Sequence, residues 1–233
     1  MLGTKAIISA SVGFVIAIVM AICIERFGGA VGGIISSVPT TILPTTYIFF
    51  SDSSKNNIEQ SESLFAAPIG IFATNLFFLP VWKILPAKLE KRMKNVTLTL
   101  FTLFLSLVAW FVSAVFMTWL ETIVSNAGIP IWAFSIVVML ICAVVGTFLC
   151  WSLPPTPKGK NHVKWYIHCL RGLAAFLCIC CTSLLNSSGL GLFAGAFSGF
   201  PAIFSTSIVS VSLAQGASVS TGAVGPMIIG GCA

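Results

Sequence analysis

The sequence predicts an all-α polytopic membrane protein of about eight transmembrane segments, arranged as an inverted repeat with helices interrupted by Gly and Pro. Three observations carry this expectation. Of the 233 residues, 57% are hydrophobic and only 8% charged, with a mean hydropathy of +1.04. A soluble domain is about a quarter charged, so lipid must cover this surface. Apolar runs separated by polar breaks recur along the whole chain. Finally, one device occurs twice: Gly29, Gly33, Ser36 and Pro39 return as Gly191, Gly195, Ser198 and Pro201, in the pattern G-x-x-x-G-x-x-S-x-x-P.

The first predicted segment, 5–26, follows Lys5 and is longer than the roughly 7–15 apolar residues of a signal-peptide core, so it reads as a retained helix. The others are 30–50, 64–85, 96–120, 130–153, 164–185, 189–213 and 217–233. Segments two, seven and eight are rich in Gly, Pro, Ser and Thr, which suits broken or re-entrant helices. Lys83, Lys88, Lys91, Arg92 and Lys94 crowd the connection between segments three and four, and Lys158, Lys160 and Lys164 that between five and six. The positive-inside rule makes both cytoplasmic. The polar loop from Ser51 to Ser63, with Asp52, Glu59 and Glu62 against Lys55, then lies outside, as do both termini.

Both copies of the repeated pattern continue into hydroxyl-rich sequence. Five spans separate the starts of segments one and six, so matching elements enter from opposite faces. Residues 1–86 and 164–233 form the two halves of a single transmembrane domain, and 87–163 a connecting helical hairpin. In transporters such repeats place a site near the bilayer midplane, where interrupted helices free backbone groups. Pro removes an N–H, and Gly thins the helix. Ser36, Ser37, Pro39, Thr40 and Thr41 in the first copy, with Ser198, Pro201, Ser205 and Thr206 in the second, are the expected substrate-binding residues, because hydroxyls both donate and accept. Ser and Thr in membrane helices also bond their own i−4 carbonyls, which is the structural alternative. The pairs Gly29/Gly33 and Gly191/Gly195 form small-xxx-small faces suited to close packing, within the chain or between copies.

Glu25 and Arg26 end segment one, and His168 and Arg171 share one face of segment six with Lys164. These are expected gating or coupling groups, the basic face forming a vestibule for anions or a rim that snorkels to headgroups. The Phe-rich segment four, with Phe101, Phe104, Trp110, Phe111, Phe116 and Trp119, reads as lipid-facing or intersubunit. The eight cysteines fall almost wholly in apolar runs and are read as small hydrophobes without a disulfide framework. His162 and His168 have no ligand spacing for zinc, and no nucleophile motif appears, so neither metal, cofactor nor catalytic residue is expected. The net charge of +6 is confined to two short connections and does not form a nucleic-acid face. The sequons at Asn95 and Asn186 adjoin predicted spans too closely to be acceptors.

The functional expectation is a transporter or channel-like permease for a small polar or anionic solute, embedded in the bilayer and able to self-associate. The alternative is a structural subunit of a larger membrane assembly.

Overall fold

The computed structural model describes residues 3–27, 41–51, 55–150, 165–216 and six positions between 221 and 231. Helix α1 is Thr4–Phe27, α2 Ile42–Ser51, α3 Asn57–Phe65 and α4 Ala67–Ala73; a π-helical turn, Thr74–Phe78, leads into α5, Leu79–Leu89. Then follow α6 Asn95–Asn126, α7 Ile131–Cys150, α8 Trp165–Ser187, α9 Gly191–Ser198 and α10 Ala202–Gln215. No strand occurs among the described residues, as the fold class requires.

Five helical stretches are long and apolar enough to cross a membrane: Asn57–Leu89, Asn95–Asn126, Ile131–Phe148, Trp165–Ser187 and Gly191–Leu213. Thr4–Met20 and Ile42–Ser51 are shorter apolar helical stretches. Of the eight expected segments, five have a helix long and apolar enough to cross a membrane among the described residues; the first and second are represented there by the shorter stretches, and of 217–233 only six positions are described. In the last predicted segment, Val224, Met227 and Ile228 are buried against Trp82, Trp110 and Ile208.

The polar loop expected from Ser51 to Ser63 is helical from Asn57 onward. Asn56 caps that helix: its side-chain oxygen accepts from the Glu59 N–H at 2.9 Å, so the polar residues extend the third span instead of bounding it. Two turns follow from glycine. At Gly128 (φ +86°) and Gly189 (φ +80°) the chain takes the left-handed conformation that closes α6 and α8. Leu190 N–H then reaches the Leu185 carbonyl at 3.0 Å, and Ile129 N–H that of Val124 at 3.2 Å.

Helices α1 and α8 run antiparallel. Ala6 and Ala10 pack near Ile179, whereas Ala17 meets Ala175 and Gly172 lies under Phe14 and Ile18. Small residues on both seams allow this approach. Lys5 Nζ donates to the Ser51 carbonyl, and Lys55 Nζ to Asn186 Oδ1 at 2.7 Å, which gathers the ends of α1, α2 and α8 at one face of the molecule. At the opposite face Asn95 donates to the Ser212 carbonyl and Thr99 pairs with the Ser212 hydroxyl, so the basic 88–94 turn lies beside the end of α10. Both sequon asparagines are thus engaged within the fold.

Apolar side chains are exposed along α1, α6, α7 and α8. Helix α7 buries a narrow seam of Ile131, Ser135, Val138, Cys142 and Gly146, spaced at helical period, with Ala133, Phe134, Met139 and Ala143 half-buried beside it and its other described side chains exposed. Phe104, Phe111, Phe116 and Trp119 on α6 are likewise exposed, as the sequence suggested. Trp110 is not: it is 2% exposed and sits in the main core. The physical reason is periodicity. Leu98, Thr99, Thr102, Ser106, Trp110, Ser113, Ala114, Thr118 and Glu121 recur every three or four residues and form the inward face of α6, so this helix is central and only its other face is aromatic.

Candidate functional site

Two departures from α-helical geometry lie at mid-depth and touch. The first is the π-helical turn. Pro80 has no N–H for the helical ladder, and the Leu79 N–H accordingly reaches back five residues to the Thr74 carbonyl. This turn begins beside Ala73, the centre of the 33-residue stretch 57–89. The second is the interruption between α9 and α10. Ser198 ends one helix, Gly199 and Phe200 cross the gap, and Pro201 precedes the next, as the repeated G-x-x-x-G-x-x-S-x-x-P pattern predicts for its second copy.

Bare backbone makes the contact. A methyl group placed on Gly70 would come within 2.8 Å of the Gly199 Cα, and one on Gly199 within 2.8 Å of the Gly70 carbonyl carbon. Neither position accommodates a side chain. The other two glycines of the pattern also pack inside the chain: Gly195 lies on the Ser63 carbonyl and Ala66, and Gly191 on the Ser63 hydroxyl. This small-xxx-small face is filled by α3.

A break in an apolar medium frees carbonyls that must find donors. Three side chains supply them. Thr41 Oγ1 donates to the Ser198 carbonyl at 2.6 Å, Thr74 Oγ1 to the Gly199 carbonyl at 3.1 Å, and Cys178 Sγ lies 3.6 Å from the Phe197 carbonyl. Trp110 Nε1 is 3.0 Å from Thr74 Oγ1 and 3.2 Å from the Gly70 carbonyl, tying the centre of α6 to both. Its ring stands edge-on to Phe197 and Phe200, at centroid distances of 5.7 and 5.0 Å. Asn75, fully buried on the π turn, faces Cys142 and lies against Gly231 of the C-terminal segment.

Of the expected binding residues, Ser36, Ser37, Pro39 and Thr40 fall outside the described residues. Thr41 immediately follows them and donates to Ser198 of the second copy, 157 positions away in sequence. Ser198, Ser205 and Thr206 each donate to their own helix, to Gly195, Ala202 and Ala202 respectively. Their donor protons are therefore occupied, while oxygen lone pairs remain. Pro201 shapes the break and contributes no polar side-chain atom.

The expected gating groups separate from this centre. Glu25 and Arg26 occupy the last turn of α1, with side chains outside the described residues. His168 and Arg171 are both buried on the inner face of α8. Arg171 Nη2 donates to Ser210 Oγ at 3.0 Å, and Ser210 donates in turn to the Ser207 carbonyl. A cation held this way faces α10, not the headgroups. Ser210 is nine residues beyond Pro201, about 14 Å along the helix toward the basic face.

Sequence reasoning missed Gly70, Thr74, Asn75 and Trp110. Signals were present: Asn75 is an isolated amide in an apolar run with Pro80 five residues on, and Trp110 continues the Thr102, Ser106, Ser113 spacing. Among the described residues no group of His, Cys, Asp and Glu is placed to hold a metal ion. Comparison of the chain with protein-family models, with curated proteins and with solved structures finds no match.

Proposed function

We propose that the protein is a multi-pass membrane transporter or channel-like permease, built as an inverted repeat, whose small polar or anionic solute passes the crossing of the two irregular helices. The observation that carries this reading is the meeting, at mid-depth, of the π turn and the Ser198–Pro201 interruption. Non-helical backbone at membrane depth is tolerated where it is buried in protein or lines a water-filled cavity, and discontinuous helices near the midplane are the usual setting of transport sites. The antiparallel course of α1 and α8, each preceding one copy of the pattern, supports the inverted arrangement, as does the Thr41–Ser198 bond. Arg171, held by Ser210 between the crossing and the basic face, gives that route a positive potential and favours an anion.

A second reading has its own observation. The freed carbonyls of Phe197, Ser198 and Gly199 all have side-chain donors, and the hydroxyls of Ser198, Ser205 and Thr206 are satisfied locally. A break closed so fully serves packing equally well, as in a structural subunit of a membrane complex.

Flux separates the two. The purified chain in liposomes is tested for uptake of small anions and neutral polar solutes, alongside Arg171→Gln, Thr74→Val and Thr74→Ser. Transport predicts saturable flux, weaker for anions in Arg171→Gln, and reduced in Thr74→Val but retained in Thr74→Ser. Absence of flux for every solute, with protein folded in the bilayer, favours the subunit.

A further inference from the structure

One ionisable side chain is used by none of these contacts. Glu121 is fully buried on the inner face of α6, and both of its carboxylate oxygens are without a hydrogen-bond partner among the described residues. It lies eleven residues beyond Trp110 on the same helical face, about 16 Å along α6 toward the Lys55 face. Ser113, Ala114 and Thr118 lie between them on that buried stripe.

An ionised carboxylate in such surroundings is strongly disfavoured unless a cation or several donors compensate it. Among the described residues no side chain is hydrogen-bonded to it. The sequences of α4 and α9, and the first half of α7 from Ile131 to Ile141, contain no titratable residue. From the 55–65 region come Lys55, Glu59 and Glu62. Lys55 is engaged with Asn186, Glu59 is exposed, and Glu62 is half-buried. Thr118 and Thr122 do not relieve the carboxyl, since their hydroxyls donate to Ala114 and Thr118 carbonyls.

We propose that Glu121 is a proton-binding site, filled from the Lys55 face. The proton passes from water at that face to the Glu121 carboxylate, which holds it as the neutral acid; release reverses the step. No other species is consumed. That this proton is coupled to solute movement rests on the transport reading above, whereas the site itself does not.

The test uses the full chain in liposomes with the lipid-soluble reagent N,N′-dicyclohexylcarbodiimide. This reagent takes the proton of a neutral carboxylic acid on nitrogen as the carboxyl oxygen adds to its central carbon. At pH 7.5 the adduct mapped by mass spectrometry is expected at Glu121, at least tenfold over Glu59. It should be indifferent to exchange of sodium for choline. Glu121→Gln should lose the adduct and keep its melting temperature, because one neutral group replaces another. An unlabelled Glu121, an adduct suppressed selectively by sodium, or a Glu121→Gln protein that melts well below wild type overturns the proposal. In the same liposomes an inward proton gradient should accelerate wild-type uptake and have no effect on uptake by Glu121→Gln. Adduct without any wild-type flux sustains the proton site and removes the transport reading instead.

Discussion

Glycine and threonine decide the centre of this molecule one atom at a time. Gly199 faces the Gly70 backbone with no room for a methyl group, so Gly199→Ala should cost about 1–3 kcal/mol by overpacking against backbone that has nowhere to move. Gly3→Ala is the matching control, since nothing lies within 4 Å of the added carbon. A lowered melting temperature in detergent for the first and none for the second is the expected pair of results. Thr41→Val keeps the shape of the side chain and removes the donor to the Ser198 carbonyl. Stranding a buried acceptor costs about 1–3 kcal/mol, and Thr41→Ser should recover most of it.

At the scale of elements, the sequence was most legible where composition alone decides the outcome. Long apolar helices around 95–126, 131–148 and 165–187 follow directly from hydropathy, and the second Gly/Ser/Pro pattern falls on a real helix interruption. Helix α3 was misread as a loop because its residues are polar, although Asn56 followed by Glu59 is a helix start. The π turn escaped because hydropathy has no sensitivity to a one-residue change in hydrogen-bond register. Pro80 is its local cause. Pro80→Ala restores the missing N–H, and the expected result is a higher melting temperature together with slower flux, as the 74–78 turn tightens to an ordinary α-helix. Unchanged flux in a stabilised Pro80→Ala protein would separate the turn from solute passage. Trp110 was placed outside by its aromatic neighbours, although its spacing from Ser106 and Ser113 carries the opposite message. Composition reports a helix's average surroundings, and only the phase of its polar residues identifies the face turned inward.

For the molecule as a whole, the charge distribution and the contact pattern agree. The basic 88–94 turn lies at one face, and Lys55 with Asn186 at the other. Single cysteines replacing Lys91 and Lys55, introduced after the eight native cysteines are removed, should react with a membrane-impermeant thiol reagent from opposite sides of the bilayer. Reaction from one side would refute the through-membrane course of 57–89. Polar groups on the inner face of α6 extend between these faces, from Thr99 to Glu121. The exposed apolar sides of α7 and α6 leave the polar residues of α6 to the interior.

The bare-backbone meeting of Gly70 and Gly199 has a mechanical side. The seam continues from there along both stretches, with Gly195 on the Ser63 carbonyl and Ala66, and Gly191 on the Ser63 hydroxyl. Eight residues separate Gly191 from Gly199, so near-bare backbone is held against its neighbour over about 12 Å. A contact of that length resists tilt as well as sliding, and the two stretches are expected to move as one rigid pair.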